Sequence, residues 1–129
     1  LRVGYALGSE ELIGIMRKCS ASWNLNVCAQ KAAVAGLAAQ EYYQGQKAKI
    51  VEGREYLEKE MAALGCRVYP SQSNFIYFDT GKDPAWIQEQ LMEKGIRIGA
   101  FEMSRVSVGT MEECKLYIKA LKEILEAAE

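Results

Sequence analysis

From Ser104 to Thr110 the chain alternates between two faces. Val106 and Val108 fall on one side of an extended segment, Arg105 and Ser107 on the other. Thr110 and Glu113 stand at capping-box spacing, so the strand gives way to a helix over 111–127, with Cys114, Ile118, Leu121 and Leu125 along one face. Apolar runs bounded by turn residues predict further strands at 66–69, 74–79 and 96–101, and one at the start, over 1–7. Pro70-Ser71-Gln72-Ser73 reads as a turn. Asp83 with Pro84 opens a helix that Gly95 closes, with Trp86, Ile87, Leu91 and Met92 as its apolar side.

The first part of the chain reads as helical. Ser9 caps a short helix, with Glu10 and Glu11 at its N-terminal end and Arg17 and Lys18 at its C-terminal end. From Cys28 to Ala39 small residues recur, which predicts a helix buried against a sheet or a partner. Trp23, in the polar stretch before it, reads as a core or interface plug. A long helix follows over 41–64, striped by Ile50, Leu57, Met61 and Leu64, with Gly45 and Gly53 as weak points and Gly65 as its stop. The order helix, two strands, helix, two strands, helix predicts an α+β fold, with helices on one side of a small, largely antiparallel sheet.

Composition narrows the chemistry. The 129 residues carry a formal net charge of −1, which gives no electrostatic reason to expect nucleic acid. No apolar run is long enough to span a bilayer, which points to a cytoplasmic protein without a membrane partner. Histidine is absent and the four cysteines form no C-x-x-C pair, so neither a common zinc site nor a Cys-His or Ser-His-Asp arrangement is available within the chain. The cysteines are expected reduced and mostly buried. No lysine context marks a desolvated nucleophile. The remaining candidates are Arg2, Asn74 and Arg105. Two arginines suit two anionic groups of one ligand, and solvated arginines beside a capping amide are the plain alternative.

Three stretches occur in order: Leu1-Arg2-Val3-Gly4-Tyr5, Tyr69-Pro70-Ser71-Gln72-Ser73-Asn74-Phe75, and Arg105-Val106-Ser107-Val108-Gly109-Thr110. Together with Trp23-Asn24-Leu25-Asn26 they resemble the fold-type I pyridoxal-phosphate aminotransferases, and within these the histidinol-phosphate aminotransferase group. The resemblance implies that Arg2 binds the cofactor phosphate, that Arg105 grips the substrate α-carboxylate, and that Asn74 lies in the active-site-facing strand motif. It implies pyridoxal 5'-phosphate as cofactor, amino-acid and 2-oxo-acid substrates, and a homodimeric parent. It covers only the C-terminal part of such an enzyme. The lysine that holds the cofactor precedes the first motif in the family, so the isolated chain is expected to be inactive. Residues 1–39 would be the tail of the large cofactor domain with the interdomain helix, and residues 40–129 the small domain. Only Glu102 and Met103 separate Phe101 from Ser104, where many members carry a longer loop. This leaves the amino donor open and keeps two alternatives in view: a threonine-phosphate decarboxylase-like lyase of the same fold, and a non-catalytic binding module.

Overall fold

A computed structural model describes residues 1–128. They divide into two compact units, Leu1–Gln44 and Gly45–Glu129. The boundary falls inside a long helix.

The first unit holds α1 (Glu10–Cys19), α2 (Val27–Ala38) and the first residues of α3 (Gln40–Ala63). Ser9 caps α1, its hydroxyl accepting from the Leu12 amide, and Asn26 caps α2 by accepting from Ala29 at 2.7 Å. The expected strand over 1–7 does not form. These residues take no regular secondary structure, and Arg2 has φ 61, outside the strand region. A strand needs a neighbour to take its backbone hydrogen bonds, and no strand lies in this unit among the described residues. Trp23 is not a plug within it either, being 99% exposed. Of α2 only Ala29 is buried. Small residues permit a close neighbour but supply little apolar area to bind one. Likewise two of the four thiols are buried, Cys66 and Cys114, while Cys19 and Cys28 are exposed.

The second unit contains the core. After α3 come β1 (Arg67–Val68), β2 (Phe75–Asp79), α4 (Pro84–Glu93), β3 (Gly99–Ala100), β4 (Ser104–Ser107) and α5 (Met111–Ala127). The sheet is antiparallel throughout, in the order β1-β2-β4-β3. Ile76 pairs with Val106 and Phe78 with Ser104, so these four share one face, and all are buried. Leu57 and Met61 of α3, Ile87 and Leu91 of α4, and Tyr117, Ile118, Leu121 and Ile124 of α5 join that face in a single core. The helices therefore lie on one side of the sheet, as the element order predicts. The α5 face is wider than the expected stripe, since Tyr117, Ala120 and Ile124 are buried beside Cys114, Ile118 and Leu121.

Local signals set the ends. Thr110 and Glu113 form the capping box in both directions. Gly65 and Gly95 take φ 81 and 76 just past α3 and α4, a conformation that costs glycine nothing. The segment 96–101 pairs over only two residues. The Ile96 amide is spent on the Leu91 carbonyl in the α4 stop, and the Ile98 carbonyl accepts from Gln88 Nε2 at 2.7 Å.

Candidate functional site

Arg105 sits at the centre of β4, on the sheet face turned away from the helices. Its neighbours there follow from register: Tyr77 on one side, Gly99 on the other, and Phe75 opposite Ser107. The guanidinium carbon lies 5.3 Å from the Phe75 ring centre and 5.1 Å from that of Phe101. Phe75 in turn meets Tyr77 edge to face, at 5.7 Å between centroids. Two rings about a cation fix its position electrostatically while leaving its hydrogen-bond donors unspent. No carboxylate among the described residues lies within ion-pair distance of Arg105. The side chain opens on a groove of about 430 Å³ bordered by Gln88, Arg97, Gly99, Phe101 and Ser107. A half-buried guanidinium with free donors beside such a groove is built to receive a planar anion such as a carboxylate.

Glycine at 99 makes room for one ring. A Cβ there would stand 2.7 Å from Phe101 Cε2, so any other residue displaces Phe101 from Arg105. Phe75, Gly99 and Phe101 are the site residues that sequence reasoning missed. The Gly-Ala-Phe-Glu-Met hairpin beside the Arg105 strand was the available signal, and only strand pairing converts it into proximity.

Asn74 immediately precedes β2 instead of lying within it. Its carbonyl accepts from the Val108 amide at 2.8 Å, and its exposed side chain takes a hydrogen bond from Ser73 Oγ at 3.4 Å. Asn74 thus stands just before the strand that pairs with that of Arg105, with no direct hydrogen bond between the two among the described residues. The Tyr69–Asn74 loop is ordered by Ser71, whose hydroxyl accepts from the Ser73 amide at 3.0 Å and donates to the Phe75 carbonyl at 2.6 Å. Arg2 lies in the other unit, exposed, with no ion pair among the described residues.

The buried thiols are unsuited to nucleophilic work. Burial, with Asp79 adding to it, pushes the Cys66 thiol up to about 11, and burial raises that of Cys114 as well. The described residues contain no cluster of three or more potential metal ligands, and no helix long and apolar enough to cross a membrane.

Comparisons with known proteins identify the family and the fold. The profile of the family described as aminotransferase class I and II matches residues 1–121. The chain is 33% identical over 131 residues to the histidinol-phosphate aminotransferase of Moorella thermoacetica, covering 97% of this chain and 34% of that protein. It is 35% identical to histidinol-phosphate aminotransferase 1 of Carboxydothermus hydrogenoformans, covering 97% and 37%. The chain thus spans little more than a third of these relatives' length. Among solved structures, the histidinol-phosphate aminotransferase of Sinorhizobium meliloti in complex with pyridoxal-5'-phosphate superposes with a TM-score of 0.73 at 28% identity, covering 89% of this chain and 34% of that one. A decarboxylase from Sulfurospirillum multivorans shares the fold, with a TM-score of 0.74 at 20% identity over 92% of this chain and 38% of that one. With a family profile matched over residues 1–121, the chain belongs to the class I and II aminotransferases.

Proposed function

We propose that this chain serves as the C-terminal segment of a pyridoxal-phosphate-dependent aminotransferase, which moves an amino group between a histidinol-phosphate-like amine and a 2-oxo acid. The observation that carries the reading is Arg105: a guanidinium held between Phe75 and Phe101, facing a groove, with no carboxylate partner among the described residues. On this reading residues 1–39 close the large domain and 40–129 form the small one. The division of the chain into compact units after Gln44 supports it.

The residues present fit the cofactor at one place. Arg2 is an exposed guanidinium with no ion pair among the described residues, the donor chemistry a phosphate monoester requires. It anchors one end of the group and no more. Pyridoxal phosphate, when bound, supplies an electron sink for the charge left on the substrate carbon as its proton departs. The rest falls to this chain. Arg105 takes the substrate carboxylate in a two-pronged hydrogen bond and so fixes the plane of that end of the molecule. A fixed orientation of the bond to be broken converts binding energy into rate. Arginine holds both anions at any working pH, because it does not deprotonate. Asn74 offers an amide from the loop before β2, a neutral donor toward the same ligand. The isolated chain is inactive on this reading. The whole protein is a cytoplasmic homodimer by resemblance alone.

The test uses the whole polypeptide, loaded with cofactor. It transfers the amino group of histidinol phosphate, or of a close analogue, to 2-oxoglutarate. Arg105→Ala lowers kcat/KM for 2-oxoglutarate, the substrate that carries the carboxylate, about a hundredfold, and Arg105→Lys restores little, since an ammonium lacks the fork. Release of carbon dioxide from a phosphorylated amino acid without amino transfer would replace this reading with the decarboxylase one. An Arg105→Ala protein with undiminished carboxylate affinity would remove the assigned role.

A further inference from the structure

Arg54 is an unusual residue for its position. It lies on α3 one turn before Glu58, where such a pair ordinarily sits in water and contributes a few tenths of a kcal/mol at most. Its side chain is nevertheless only 11% exposed. Its Nη1 donates to the Ser73 carbonyl at 3.3 Å, and its Nε lies 3.9 Å from Glu58 Oε1. That carboxylate oxygen is closed off from solvent and has no hydrogen-bond partner among the described residues. Burying a guanidinium beside a carboxylate that is still 31% exposed, for a contact this long, is not favourable in itself. What the arrangement secures is a charge-assisted bond from a rigid helix to a loop carbonyl. Ser73 is followed by Asn74, whose carbonyl holds the Val108 amide, and by Phe75, whose ring flanks Arg105. The loop is also tied at its start, where the Tyr69 amide donates to the Tyr77 carbonyl, and within itself through Ser71.

We propose that Arg54 is a positioning residue for the substrate site: by holding the Ser73–Asn74 peptide it fixes where Asn74 and the Phe75 ring stand, and through that ring the direction of Arg105. This rests on the reading of Arg105 as the carboxylate-binding group. Glu58, one turn further along the helix, lies 3.9 Å from the guanidinium Nε and faces it from the same side of α3. Without Arg54 the Ser73–Asn74 peptide loses its tie to α3, and Phe75, at the very end of the β2–β4 ladder, holds its ring less firmly against Arg105.

The experiment compares Arg54→Ala, Arg54→Lys, Leu64→Ala and Arg105→Ala in the cofactor-loaded whole polypeptide. Leu64 packs on the core from the end of the same helix region and serves as a control for plain destabilisation. Arg54→Ala is expected to raise KM for the amino acid about tenfold with kcat changed less than about twofold, and Arg54→Lys to recover most of the loss by keeping one charged donor. Leu64→Ala leaves KM unchanged. In the 129-residue chain, amide exchange at Val108 quickens in Arg54→Ala and not in Leu64→Ala, a readout independent of turnover. If Arg105→Ala is impaired while Arg54→Ala binds normally, or if Leu64→Ala raises KM as much as Arg54→Ala, the Arg54 assignment falls and the Arg105 reading stands. If Arg105→Ala is unimpaired, the carboxylate reading falls and takes this inference with it. Should Arg54→Ala not fold, Arg54→Gln carries the test, and a wild-type KM in that variant overturns the assignment.

Discussion

Replacing Gly53 with alanine should destabilise the protein, although by helix propensity alone it should stabilise it. Gly45 and Gly53 both lie inside α3, and either change to alanine gains about 1 kcal/mol from propensity. At Gly45 a new Cβ meets nothing within 4 Å. At Gly53 it would stand 2.9 Å from Val108 Cγ1, 3.5 Å from Cys114 Sγ and 3.6 Å from the Gly109 carbonyl oxygen. Ordinary carbon–carbon contact is about 3.5–4.0 Å, so the valine must yield by more than half an ångström. It is poorly placed to do so. Val108 is β-branched, packs on the core, and has its amide fixed on the Asn74 carbonyl. Overpacking of this kind costs about 1–3 kcal/mol, which leaves Gly53→Ala destabilised by about 1 kcal/mol and Gly45→Ala stabilised by a similar amount. Propensity cancels in the comparison, so the gap between the two variants, about 1–3 kcal/mol, measures the packing alone. The assay is urea unfolding followed by Trp86 fluorescence in a Trp23→Phe background, with the midpoint compared at constant slope. Val108→Ala added to Gly53→Ala should recover much of the loss, as a non-additive term in the double-mutant cycle. If Gly53→Ala raised the midpoint as much as Gly45→Ala, the close approach of α3 to the turn after β4 would be refuted.

Gly99→Ala should leave stability within about 0.5 kcal/mol, because the displaced Phe101 ring is already exposed. It should raise the KM of the whole enzyme for its carboxylate substrate several-fold, and an unchanged KM would show that Phe101 does not support Arg105. Hydrogen bonding to the Thr110 backbone, then to its side chain, holds the Glu113 carboxyl below its usual range. A depressed folded-state acid binds fewer protons than the unfolded chain, so its contribution is present above the ordinary glutamate range and is lost as pH falls through the lowered folded value. Glu113→Gln should therefore be less sensitive to acid than the parent over that window, as read by thermal melts at a series of pH values. For Cys66 the sign reverses. Its thiol moves from 9.0 to about 11 on folding, so the unfolded chain ionises first and stability declines as pH rises between those values. Cys66→Ala should remove that decline. In the native chain at neutral pH, a thiol-specific disulfide reagent should modify Cys19 and Cys28 quickly and Cys66 and Cys114 slowly, and four equal rates would contradict the burial.

Much of this molecule is legible along the chain because the relevant forces act over a few residues. Ser9, Asp83 and Thr110 cap helices because a side-chain oxygen reaches an amide two or three positions on. Gly65 and Gly95 stop them because their own backbone tolerates positive φ. The alternation around Arg105 placed it opposite the valines, and the ordered motifs pointed to the family. Other features depend on residues far apart in sequence. Alternating apolar residues over 1–7 make no strand without a neighbour to complete the ladder. Gly53, read locally as a weak point, is where another segment needs the space of a missing side chain. The cleft around Arg105 arises from the pairing of β2 and β4, which are separated by a helix and another strand. That pairing sets Phe75 on one side of the guanidinium, and the β3–β4 hairpin sets Phe101 on the other. Sequence alone put a charged residue on a strand face. Only tertiary packing set it between rings, with no carboxylate partner among the described residues, and so made its charge available to a ligand.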